Sequence, residues 1–170
     1  MSRRLAACVA AAFLLLAATA EERTFGTVTD EQQMLYTAIS IATTGEIGIS
    51  RNQRFSVSRP AGDAVSPYGM GLPLLEAPLA ALAGPWEARF GVRTSQTLFV
   101  LLQVLLVTAA AAGAGLAAGA FGAGAFGQAL AVFAAALASP LWAYTATGYS
   151  EPLQAVCLVF AFVLASAASR

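Results

Sequence analysis

Residues 95–118 read SQTLFVLLQVLLVTAAAAGAGLAA, and this stretch decides the class of the fold. It carries no charge, and it exceeds the roughly 20 apolar residues that a helix needs to cross a hydrocarbon layer. Gly115 and Gly119 add the small-residue spacing that lets two helix backbones approach closely. Working outward, residues 128–146 and 152–168 are two further uncharged apolar blocks, and residues 5–20 form a fourth. The whole chain is 58% hydrophobic and 11% charged with mean hydropathy +0.71, outside the usage of soluble domains. The pattern predicts an all-α, polytopic transmembrane protein of about four spans.

The same composition excludes several chemistries. The chain has no His, which removes His-based triads and nearly all zinc-site patterns. All nine basic residues are Arg and they form no block, so nucleic acid is not an expected partner; membrane lipids are. Cys8 and Cys157 each sit in an apolar block and read as small core or lipid-facing residues. The Gly-rich stretch 113–127 has no strand before it and no phosphate-binding partner after it. It reads as a tight connection between packed helices rather than a nucleotide loop.

Residues 1–20 are a first transmembrane helix or a signal peptide. Arg3 and Arg4 flank the apolar run as the positive-inside rule asks, while Ala18-Thr19-Ala20 before Glu21 has the look of a cleavage site. Either way the following segment, 21–94, lies outside. Within it, residues 30–43 read as an amphipathic helix with Met34, Leu35, Ala38, Ile39 and Ala42 on one face. Thr29 or Asp30 is its expected cap, and Gly45 its stop. Residues 47–57 read as mixed and extended, and 66–71 as a turn-rich loop. Residues 72–83 are apolar, but this run is short and holds Pro73, Glu76 and Pro78. It is expected to lie in the interface or to re-enter rather than to cross. Residues 95–170 then form a three-helix transmembrane segment.

That reading of 72–83 sets the topology. If it does not cross, Asp30, Glu31 and Glu151 share the external face; if it crosses, Glu151 falls on the opposite side. Acids are scarce in this chain, and charges in or beside membrane spans are functional candidates by default.

Several segments together carry a resemblance. Thr29-Asp30-Glu31 in the first external loop is followed by Tyr68-Gly69-x-Gly71-x-Pro73-Leu74-Leu75. Pro140-x-x-x-Tyr144 and Gly148-Tyr149-Ser150-Glu151-Pro152-Leu153 come next. This order resembles the N-terminal part of the GT-C class of membrane glycosyltransferases, such as protein mannosyltransferases and lipid A aminoarabinose transferases. The resemblance covers essentially this whole chain but only about the first third of such enzymes. It implies an incomplete unit that needs a C-terminal portion or a partner subunit.

The resemblance further implies sugar transfer from a polyprenyl-phosphate donor on the external face of a bacterial inner membrane. Such transfer needs a base for the acceptor proton, and a desolvated carboxylate at the membrane boundary suits it. It also needs a cation, Arg or a divalent metal, for the departing phosphate. By resemblance Asp30 is the base or metal-facing acid, Glu31 its neighbour, and Glu151 an assisting ligand. Arg51, Arg54, Arg59 and Tyr68 are the substrate-binding candidates. Each has a plainer reading beside it. Asp30 and Glu31 suit the first turn of a helix, and Glu151 before Pro152 suits a helix start. The three Arg suit headgroup contacts, and Tyr68, Trp142, Tyr144 and Tyr149 suit interface anchors. Glu76, on an otherwise apolar run, has no local explanation. The alternative to an enzyme is a non-catalytic four-helix membrane subunit or scaffold.

Overall fold

The first apolar block folds as α1 (Arg3–Thr19), and its start follows from a single cap. Ser2 is extended, and its hydroxyl accepts the Leu5 N–H, satisfying one donor that the first helical turn leaves open. The computed structural model describes residues 2–20, 29–49, 57–58, 64–67, 69–90 and 94–168. The other elements are α2 (Thr29–Thr44), β1 (Gly48–Ile49), β2 (Val57–Ser58), β3 (Ala64–Val65), α3 (Gly71–Phe90), α4 (Thr94–Ala120) and α5 (Ala125–Leu137). A 3-10 turn follows at Pro140–Ala146, and α6 is Glu151–Ala168. The described chain is therefore helical apart from three two-residue strands, which pair antiparallel in the order β1-β3-β2.

Two compact units divide the chain. One comprises residues 1–20, 103–145 and 151–170; the other comprises 21–102 and 146–150. In the first unit α1 packs on α5. Leu5, Ala12 and Leu16 of α1, Val104, Val107 and Ala111 of α4, and Val132 and Ala136 of α5 form one buried core. Each set recurs at three-, four- or seven-residue spacing, which is one stripe of a helix. The expected glycine contacts are present. A Cβ on Gly115 would lie 2.7 Å from Val132 Cγ2 and 2.9 Å from Leu5 Cδ1. One on Gly113 would lie 2.6 Å from Val159 Cγ1. The glycine-rich stretch is thus mostly helix surface on which neighbours pack. The connection between α4 and α5 is confined to a short turn that Gly122 makes at φ +84°.

Two helices, Thr94–Ala120 and Glu151–Ala168, are long and apolar enough to cross a membrane. A third candidate exists if α5 and the 3-10 turn after it count as one span. The chain is accordingly an integral membrane protein. Over 128–146, where a span is expected, the helix breaks after Leu137 and the two pieces bend by 52°. Pro140 is the cause, since it has no N–H to donate and disfavours helical backbone at Ser139. Ser139 fills the break with its hydroxyl, donating to the Ala135 carbonyl at 2.6 Å and accepting the Leu141 N–H at 3.2 Å.

The second unit is built on α2 packed along α3. Gly45 ends α2 as expected, at φ +74° with its N–H donating to the Ile41 carbonyl. Two expectations for this unit change. The helix expected over 72–83 runs for 20 residues, with Pro78 and Pro85 inside it. Both prolines are exposed and sit seven residues apart, on the side opposite the buried stripe. The carbonyls they leave without donors, those of Leu74 and Ala81, belong to exposed residues on that same outer side. The inner bonding continues, and so does the helix. Shortness therefore no longer argues that this segment stays on one side; composition alone keeps it from the spanning class. The second change concerns α2. Met34 and Ala38 are buried as expected, but Leu35, Ile39 and Ala42 are only half-buried, and Glu31, Gln33 and Thr37 are sealed instead.

Candidate functional site

Asp30 and Glu31 occupy the first turn of α2, where a carboxylate is favoured by the helix dipole and by N–H groups without helical partners. The helix begins at Thr29, so Thr29 and Asp30, the two expected caps, both lie inside it. The two acids differ in surroundings: Asp30 is half-buried, whereas Glu31 is 1% exposed. Gln33 and Thr37 are also buried, and the Thr37 hydroxyl donates to the Gln33 carbonyl at 2.7 Å. The buried side of α2 is therefore rich in oxygen and amide groups.

Opposite it runs the buried stripe of α3, made by Leu72, Pro73, Glu76, Ala77, Ala80 and Ala83. The three alanines allow close approach of the helix axes. Glu76 is the one charged group in that stripe, 1% exposed, and neither of its carboxylate oxygens has a hydrogen-bond partner among the described residues. Burial pushes its carboxyl up to about 8, because desolvation disfavours the charged form. The site assignment made from sequence omitted Glu76. The available signal was an acid inside an apolar run with no cap, turn or partner to account for it.

Glu87, near the other end of α3, has a structural task. Its Oε1 accepts both the N–H and the hydroxyl of Ser95, at 2.7 and 2.6 Å, at the start of α4. A carboxylate there satisfies an open donor of the longest helix and complements its dipole.

Glu151 opens α6 and is exposed, with Pro152 buried behind it at the second helical position. It belongs to the first unit, whereas Asp30 and Glu31 belong to the second. The structure thus brings Asp30 and Glu31 into one helical turn. Arg51, Arg54, Arg59 and Tyr68, the expected substrate-binding residues, lie outside the described residues. Among the described residues no three carboxylates or thiols converge as a metal-ligand group.

The aromatic residues expected at the membrane boundary are partly committed within the protein. Trp142 is half exposed, and its indole N–H donates to the Thr19 hydroxyl at 3.2 Å, tying the end of α1 to the 3-10 turn. Phe121 stacks on Phe162 with ring centroids 5.6 Å apart. In the same unit a cavity of about 500 Å³ is lined by Ser2, Arg4, Leu5, Leu116, Gly119 and Gln128.

Comparison with protein-family models, with curated proteins and with solved structures found no match.

Proposed function

We propose that this chain is the N-terminal portion of a membrane glycosyltransferase of the GT-C class. In this reading it works on the external face of a bacterial inner membrane and takes sugar from a polyprenyl-phosphate donor. The observation that supports it is the placement of Asp30 and Glu31 in the first turn of α2, a helix that follows the first apolar segment and packs on α3. An acidic pair in the segment after the first apolar block is one of the features that carry the resemblance. Four spans are counted on this reading, with α1 as the first and α3 held at the surface. Asp30 takes the acceptor proton, Glu31 supports it, and Glu151 assists from the loop before α6. Arg51, Arg54 and Arg59 compensate the departing phosphate, alone or with a divalent metal, and Tyr68 contacts the substrate.

The test is transfer of labelled sugar from a polyprenyl-phosphate donor by membranes holding the full protein. Asp30→Asn should lower the rate by roughly 10²-fold or more, as loss of a general base does, with expression and membrane insertion unchanged. Unchanged transfer by Asp30→Asn would remove the reading.

A non-catalytic subunit is the second reading, and α6 favours it. This helix is apolar, yet only 6% of its spanning window is buried within the protein. Leu158, Phe162 and Leu164 are exposed along it, a surface that suits another membrane helix as well as lipid.

A further inference from the structure

We propose that Glu76 is a proton-binding site whose neutral acid seals α2 on α3, and that loss of the proton to water loosens that contact. The proposal stands apart from the glycosyltransferase reading, because it rests on the α2–α3 packing alone.

Three observations carry it. Glu76 lies centrally in the one buried stripe of α3, among Leu72, Pro73, Ala77 and Ala80. The element packed on α3 is α2. Both carboxylate oxygens of Glu76 are enclosed without a hydrogen-bond partner among the described residues. A carboxylate so placed is shut off from solvent and accepts no hydrogen bond from a described residue, and such a charge is very costly.

Among the described residues of α2 and α3, no basic side chain lies within three turns of Glu76. The titratable residues of α2 are Asp30, Glu31 and Tyr36, none of them basic, and the other charged groups of α3 are Glu87 and Arg89. Arg89 is exposed at the last turn of α3, more than three turns from Glu76. Glu87 is engaged with Ser95. Burial places the carboxyl near 8, so the acid is neutral at pH 6 to 7 and ionises at mildly alkaline pH. The packed state holds the proton more tightly than an opened state in which Glu76 meets water.

The experiment uses the full chain in lipid nanodiscs, with infrared titration of carboxyl groups and hydrogen exchange of α2 amides. A protonated-carboxyl band should be present at pH 6.5, titrate with a midpoint near 8, and be absent in Glu76→Gln. The opening of α2, corrected for intrinsic exchange chemistry, should grow by about tenfold per pH unit between about pH 5 and 7.5. That slope should vanish in Glu76→Gln. A wild-type protein with no such band at pH 6.5, or with flat α2 opening across this window, overturns the proposal without reference to any variant. A slope that persists unchanged in Glu76→Gln overturns it as well.

Discussion

At the scale of single residues, environment separates acids that the sequence presents as equals. Glu87 accepts two hydrogen bonds at a helix start, Glu151 is exposed, and Glu76 is enclosed without a donor. For Glu76 the folded-state value, about 8, lies above the ordinary 4.5. The packed state therefore has its full stability below about pH 4.5, where the acid is neutral in both states, and loses it progressively as pH rises through 8. Glu76→Gln should remove that dependence and stabilise the second unit by roughly 3 kcal/mol at pH 7, read as a flat unfolding midpoint in a pH series. Gly45 is the other residue whose backbone dictates its identity. At φ +74° a side chain is strained, so Gly45→Ala should cost about 1 kcal/mol although the space around it is open.

At the scale of elements, two devices decide where helices start and stop. Glu87 and Ser95 together start α4, and Glu87→Ala should destabilise its first turn by about 1–2 kcal/mol, seen as faster exchange of the amides around Ser95. Pro140 breaks the apolar block after α5. Pro140→Ala should allow helix to continue past Ser139. The 52° bend should then shrink, which distances between spin labels at positions 130 and 143 would report. Gly115 governs a third contact, where α4 meets Leu5 and Val132. Val132 is β-branched and stiff, so it cannot swing aside. Gly115→Val should therefore lower the thermal midpoint by overpacking, at a cost of about 1–3 kcal/mol.

At the scale of the whole molecule, the issue is sidedness. The shared-site reading requires positions 30 and 151 on one face of the membrane. Single cysteines placed there, with Cys8 and Cys157 replaced, should both label with an impermeant thiol reagent from the outside. Labelling from opposite faces would mean that α3 crosses, which its 20-residue length permits geometrically at 1.5 Å per residue.

Membrane character was legible in the sequence because it is additive: an uncharged run such as 95–118 is apolar whatever surrounds it. The stop at Gly45 and the close contacts of Gly115 and Gly119 were legible for a similar reason, since they follow from the absence of a side chain. The pair Asp30–Glu31 was legible as a helix start, and its position in the first turn of α2 follows from local dipole and donor chemistry. Other features depended on partners far along the chain. Leu35 and Ile39 were expected in the buried face of α2, but Gln33 and Thr37 are sealed more completely, because packing on α3 and not side-chain hydrophobicity alone set which side is enclosed. Helix α3 continued through Pro78 and Pro85 because both fell on its outer side. The sequence determined that this protein is a set of apolar helices with a polar, acid-bearing segment after the first. Only the tertiary structure decided that Glu76 is an acid enclosed among apolar side chains. Desolvation belongs to the atoms that surround a carboxyl, and those come from another helix.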